Sequence, residues 1–548
     1  MAAYRFLHWL NHQVGYETLL LAERQRLHGM VAGAVEDEAG LGPGSSVADD
    51  DALLEALVLE SPDLFARGRV AETLGVHWVR GMRPRRAALY EMLAGWSAER
   101  SGELERASAH CLRAGRLQTE TSGAVERSLK DSILARVLRL QGRLQESADQ
   151  LTAAIGRFDE SVDQRSSRIL EAVCLQGLAV IAVETGNFEE ADRLYRRSRA
   201  LAQATASPRL DAIAVRGLGV VADARGDAET AERLIAESVA AFEAQGDARW
   251  RAMSLQALGA IRSTRGAYEP ALAVLEEARR TFALMGERRW EAWCLQSIAG
   301  IRNSLEGPRE AGPMFETALV LAVRSGDVRL QGICLSSLAA IAWARDDLAS
   351  ATQRHEEVLR IARPMGERRL HVMALVGLGE VPMAAGDFAA GLRFLDEAIA
   401  LEGPNGQSPV LCDATASRAV CRARLGDSAG AREDAKRSLE AAGNYASGGV
   451  RALVAAAIAG LPGDPPDLAA SWLLRRERSL EAVARARKIR ILSRLFETQL
   501  CAAEVSRQSG DATVRAEGRA ACADVATRAA AAGMKLFVRQ SADQQAKF

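Results

Sequence analysis

Few residues in this 548-residue sequence stand at spacings that do chemistry. His8 and His12 are four apart, a spacing that puts two imidazoles on one helix face as a metal site requires. No Glu follows His8 in an H-E-x-x-H pattern and no third ligand is evident, so the pair reads as an ordinary helix face. No serine reads as the nucleophile of an elbow, and the carboxylates follow the repeat period described below instead of converging as an acid and base pair. No G-x-x-x-x-G-K-[ST] occurs, so the chain has no backbone cradle with its lysine for nucleotide phosphates. Catalysis by this chain is therefore not expected, and neither a metal nor a cofactor is.

The charge balance narrows the partners. Lys plus Arg number 70 against 71 Asp plus Glu, a formal net charge of −1, so no global field draws the protein to nucleic acid or an anionic membrane. Cys111, Cys174, Cys294, Cys334, Cys412, Cys421, Cys501 and Cys522 are scattered without a C-x-x-C pair and read as buried thiols of a reducing compartment. No basic start runs into a long apolar segment and no unbroken run of 18 or more apolar residues follows, which sets cytoplasm as the expected location.

The elements that would position any site come from aligning the chain with itself, one repeat of about 40 residues along. Leu178-Ala179, Leu218-Gly219, Leu258-Gly259, Ile298-Ala299, Leu338-Ala339 and Leu378-Gly379 form one column, a large apolar residue followed by a small one. A turn comes next, at Gly186-Asn187, Gly226-Asp227, Gly266-Ala267, Gly307, Asp346-Asp347 and Gly386-Asp387, and then a small residue at Ala191, Ala231, Ala271, Ala311, Ala351 and Gly391. Gly246, Gly286, Gly326 and Gly366 mark a second turn, and weaker copies extend to Gly102, Gly142 and Gly426. Antiparallel helices joined by a tight turn approach closely only where side chains are small; Gly ends one helix and Asp or Asn caps the next. One hairpin cannot bury its apolar faces alone, whereas a stack shares a continuous core.

With Leu258-Gly259, Gly266, Tyr268 and Ala271, and again Gly186, Phe188 and Ala191, the chain resembles the tetratricopeptide-repeat family over residues of about 90 to 445. The resemblance implies an all-α solenoid of about nine hairpins of about 40 residues, with helical caps at both ends. The departures are the period of 40 where 34 is common, which suggests longer second helices or loops, and the missing turn glycine near Asp346.

The ends read differently. Tyr4-Arg5-Phe6-Leu7-His8, Tyr16-Glu17-Thr18-Leu19-Leu20 and Arg24-Gln25-Arg26-Leu27-His28 are similar to the segment closing the winged-helix part of bacterial STAND-type signalling ATPases. The expected organisation is a cap over 1–36, a glycine-rich acidic linker over 37–51, the solenoid over 52–460 and a helical tail over 461–548 that opens at Pro462-Gly463-Asp464-Pro465-Pro466. The tail's Arg475, Arg476, Arg478, Arg485, Arg487, Lys488, Arg490 and Arg494 are interleaved with Leu473, Leu480 and Val483, as in a packed amphipathic helix with a solvated face.

In the family resembled, the first helix of each hairpin lines the concave wall. That places Gln176, Arg216, Gln256, Gln296 and Ser336 in one row, with Asp223 beside Arg216, Asn303 beside Gln296, Trp293 three residues before Gln296 and Trp343 seven after Ser336. Amide and guanidinium donors beside Trp surfaces suit a protein or peptide partner. His355 falls in a packing column with Tyr195, Leu275, Phe315 and Leu395 and reads as a core histidine. The expected function is thus a non-catalytic bacterial scaffold or sensor. The alternative is the regulatory half of a signalling ATPase that controls a kinase, cyclase or transcriptional output on another chain.

Overall fold

A computed structural model describes residues 16, 19–42, 49–60, 64, 70–118, 122–158, 165–402, 409–442, 446–461, 464 and 468–548. His8, His12, the segment Tyr4 to His8, residues 43–48 of the linker, and Pro462, Gly463, Pro465 and Pro466 lie outside the described residues. Among the described residues there are 26 helices and no strand, and the chain is an all-α repeat solenoid. It divides into two compact units, Met1–Leu178 with Arg197–Leu210, and Ala179–Arg196 with Asp211–Phe548.

In the second unit the first helices of successive hairpins include Ala248–Thr264, Arg288–Leu305, Val328–Ala344 and Arg368–Ala385; their partners are Tyr268–Met285, Pro308–Arg324, Leu348–Met365 and Phe388–Glu402. Both members run to 15–18 residues, with only short turns between them. The long period is therefore shared by the two helices, not taken up by loops. Asp227, Asp347 and Asp387 accept the backbone N–H three residues on, at 3.1, 3.1 and 2.9 Å, and so start the second helices.

Glycine in the Leu-Gly column has a steric cause. A Cβ on Gly259 would lie 2.4 Å from Leu275 Cγ in the partner helix, and one on Gly379 would lie 2.8 Å from Leu395 Cγ. The large residue of one column thus fills the hole left by the small residue of the other. Where the turn glycine is missing, Asp346 itself adopts the left-handed conformation at φ 63°, against 90° for Gly386 in the next repeat.

The tail continues the helical pattern as Leu468–Ile489, Leu492–Arg507, Ala512–Ala532 and Lys535–Gln545. Its arginines are engaged mostly within the chain. Arg475 donates to the Ala457 carbonyl (2.7 Å), Arg478 forks onto Asp464 (2.6 and 2.7 Å) and Arg490 reaches Glu269 (2.5 Å). Phe496, Leu500, Val525, Met534 and Phe537 bury against Ala344 and Trp343, and Ile491 packs on the cluster of Tyr268, Leu275, Ile298 and Ile301. Arg539 grips Asp346 with two bonds, at 2.7 and 2.8 Å, and the Ala384 carbonyl at 3.1 Å. The tail is packed along the ends of the solenoid's first helices.

The first unit is held by a buried ion network. Arg86 donates to Glu36 (2.7 Å) and Asp50 (3.0 Å), Trp78 Nε1 donates to the same Glu36 oxygen (2.8 Å), and the guanidinium lies over the Trp78 and Tyr90 rings. All eight cysteines are unpaired and buried. Among the described residues one helix, Arg165–Glu184, is long and apolar enough to cross a membrane by length and composition, and over half of its apolar window is buried in the chain's own packing.

Candidate binding cavity

The second unit encloses a cavity of about 840 Å³ between the first helices of its hairpins and the tail. A ladder of ion pairs runs along the starts of the first helices and reaches the cavity wall only at its last rung, Arg329 with Glu367. Arg249 donates to Glu287 (2.6 Å), Arg289 to Asp327 (2.9 Å) and Arg329 to Glu367 (3.2 Å), each acceptor standing 38 residues after its donor and each pair one repeat after the last. Asp327 and Glu367 also accept the N–H of Leu330 and Leu370 and so cap the next first helix. Each acid thereby ties one hairpin to its successor. Burial alone would raise the Asp327 carboxyl, but the Arg289 guanidinium, the Leu330 N–H and the Trp293 indole (3.1 Å) outweigh it and hold the group below the usual carboxylate range. Burial likewise opposes the charge on Arg329, and Glu184 and Glu367 overcome that opposition.

Glu184, Gly186 and Asp223 come from hairpins far earlier in the chain, yet they stand at the same wall as Arg329, Arg368 and Arg369. The stem of Arg368 lies over Gly186, where a Cβ would sit 3.7 Å from Arg368 Cδ. Burial pushes the Asp223 carboxyl up, and Arg369 partly restores it.

The opposite wall mixes apolar tail residues with a buried polar cluster. Trp343 meets Phe537 edge-on at 5.7 Å between ring centres. Arg451 bonds Glu380 and the Ser417 hydroxyl (2.7 Å). His355 is 5% exposed, and its ring fills the hole over Gly377, where a Cβ would lie 2.2 Å from Nε2. Burial depresses its pKa to about 4, against a smaller opposing pull from Glu380, so the ring is neutral at neutral pH. Trp343 Nε1, His355 Nδ1 and Gln544 Oε1, buried atoms of cavity-lining side chains, have no hydrogen-bond partner among the described residues.

Of the nine positions expected to face a groove, the structure brings Asp223, Asn303, Ser336 and Trp343 to this cavity. The other five are elsewhere. Gln176 belongs to the first unit and donates to Ser198 Oγ (3.0 Å) and the Leu210 carbonyl (3.2 Å). Arg216 donates to the Met253 carbonyl (3.3 Å) and Gln256 to Ser297 Oγ (3.5 Å), both joining neighbouring first helices. Trp293 serves Asp327, and Gln296 is half-buried outside the cavity lining. The Arg and acid columns of the charged wall escaped the sequence reading although they recur with the repeat, because attention to the Leu-Gly column passes over the starts of the first helices. Gly426-Asp427-Ser428-Ala429-Gly430 does fit the letters of G-x-S-x-G, but Ser428 is exposed and begins a helix whose Gly430 N–H Asp427 caps at 2.9 Å. With no strand among the described residues, the strand-to-helix elbow is not formed there.

No protein-family model matches the sequence, and no curated protein does so. Solved structures are similar to parts of it. A Rap protein complexed with competence and sporulation factor is 14% identical over 66% of this chain and 99% of its own, with a TM-score of 0.49. Aspartyl phosphate phosphatase F of Bacillus subtilis is 13% identical over 62% and 93%, with a TM-score of 0.41. The apo quorum sensor NprR of B. thuringiensis is 13% identical over 64% and 97%, also at 0.41. At these identities no residue role passes from those proteins to this one.

Proposed function

We propose that this chain is a non-catalytic scaffold or sensor that takes a protein or peptide partner into the cavity of its second unit. The observation that carries the reading is the cavity itself, about 840 Å³, in which Asn303, Arg368 and Arg369 stand among apolar side chains such as Val183, Phe188 and Met373. A pocket of that size with a few polar groups among apolar side chains is the usual form of a binding site, and a peptide offers amides and side chains that match both kinds of surface. Asp223, Asn303, Ser336 and Trp343 are its proposed contacts from the solenoid. Arg216 and Gln256 support that wall by joining its helices.

The test is affinity purification of the intact chain from its native cytoplasm, with mass spectrometry of what stays bound, repeated with Ser336→Phe to fill the cavity and Trp343→Ala to empty one side of it. Partner recovery falling at unchanged helicity supports the reading, whereas equal recovery from all three proteins overturns it. A signalling ATPase, kinase or cyclase among the partners would make the chain the regulatory half of such a machine.

A further inference from the structure

The Arg and acid ladder ends at the cavity without its last acid. Along the ladder every arginine is matched by an acid 38 residues on, Arg249 by Glu287, Arg289 by Asp327 and Arg329 by Glu367. The next arginine in register is Arg369, and the residue at the corresponding acid position of the sequence is Gln407, a neutral side chain outside the described residues. Arg368 stands beside it. Both are exposed to the cavity, and neither has an ion-pair partner within 4.0 Å among the described residues.

The carboxylates nearby do not redress this. Glu367 is bound to Arg329, and Glu184 acts on the same Arg329, which leaves Asp223 as the acid that Arg369 feels across the wall. Arg368 and Arg369 therefore stand at the wall with no close carboxylate of their own, in a pocket whose other surfaces include Val183, Phe188 and Met373. A guanidinium with its donors free takes a carboxylate with two parallel bonds, which a distant, desolvated Asp223 does not supply.

We propose that Arg368 and Arg369 anchor a carboxylate of the bound peptide at the charged wall of the cavity; this rests on the peptide-binding reading above and adds the chemistry of its ligand. Asp223 competes with that carboxylate for Arg369. The site is thus selective for an acidic side chain or a free C-terminus, and removing the competitor strengthens it.

The full-length chain is immobilised and exposed to a synthetic pool of heptapeptides randomised at every position, prepared once with free and once with amidated C-termini, and the captured peptides are sequenced by mass spectrometry. The wild type enriches Asp, Glu or the free terminus. Arg368→Ala with Arg369→Ala lowers that enrichment by about ten-fold or more while apolar preferences at other positions persist, and Asp223→Asn raises it. The comparison of the two pools tells an acidic side chain from a terminal carboxylate. Capture of peptides with no acidic or terminal preference, or a preference indifferent to both sets of substitutions, overturns the anchor and leaves the peptide-binding reading standing; capture of no peptide by the wild type overturns both. Since the two arginines are exposed and the Asp223→Asn effect has the opposite sign, general loss of structure cannot mimic the expected pair of results.

Discussion

The two walls of the cavity are built on different principles. The charged wall is the end of a periodic ladder: one Arg and one acid recur in each repeat, Asp327 and Glu367 also start helices, and the pattern that links hairpins meets the pocket at Arg329 and Glu367. The tail wall is aperiodic: Phe496 and Phe537 bury against Trp343 and Ala344 behind a lining that also carries Glu497, Glu504, Asp543 and Lys547, and Arg539 and Arg424 fork onto Asp346 and Glu504. The lesson is one of independence. A periodic wall fails rung by rung, whereas a wall made of one apolar cluster is gained or lost together.

The largest effect should come from emptying that cluster. Phe537 is 3% exposed, and Phe537→Ala leaves a cavity worth about 3–5 kcal/mol, more than the tail's surface ion pairs can offset. Limited proteolysis should then cut within 490–548 while the repeats stay intact; cleavage spread evenly over the second unit would show that the two walls are not independent.

Next comes a single rung. Asp327→Asn leaves Arg289 buried without its countercharge, at a cost of about 3 kcal/mol. Urea unfolding should show the loss, and hydrogen exchange should place it in Arg288–Leu305 and Val328–Ala344, with the tail unchanged. Protection lost in the tail to the same degree would break the comparison.

His355 separates the walls by pH. Its folded pKa of about 4 lies below the ordinary 6.5, so folding favours the neutral ring. The resulting stability is complete above about pH 6.5 and is lost as pH falls from there to 4, by about 3 kcal/mol at most. His355→Leu, which matches Leu275 and Leu395 in the same column, should flatten that part of the stability curve; an unaltered slope between pH 6.5 and 4 would assign the acid sensitivity to other groups.

The smallest effect belongs to Asp346. Asp346→Gly relieves the left-handed backbone at φ 63° but gives up the Arg539 fork, and since the arginine is 40% exposed the two terms, each about 1 kcal/mol or less, nearly cancel. Asp346→Ala keeps the strain and loses the fork, so it should be the less stable of the two in thermal melts.

The repeat was legible because its causes are local. A glycine is needed where Leu275 would strike a Cβ on residue 259, a turn needs a residue that tolerates positive φ, and an Asp after it caps the next helix; each requirement acts over a few residues and recurs at each hairpin. The Arg-rich helix does pack, but through Ser479, Ala482, Val483 and Ala486, whereas Leu473 and Leu480, expected on its packed face, are exposed; small residues let the helix approach closely, and leucine spacing alone did not show that.

The site was only partly legible. Helical spacing put Asp223, Asn303, Ser336 and Trp343 on first-helix faces, but the same spacing put Gln176, Arg216 and Gln256 there too, and these direct their donors to neighbouring helices. Periodicity assigns a residue to a face; it does not say how far along the helix the cavity lies.

What the sequence by itself determined is therefore the class of fold, the hairpin and its period, because side-chain volume and backbone conformation are specified residue by residue. Only the tertiary structure decided which residues meet across the cavity. Glu184 and Asp223 face Arg329 and Arg369, and Trp343 faces Phe537, because small rotations between successive hairpins add up over the stack, and no single residue records that sum.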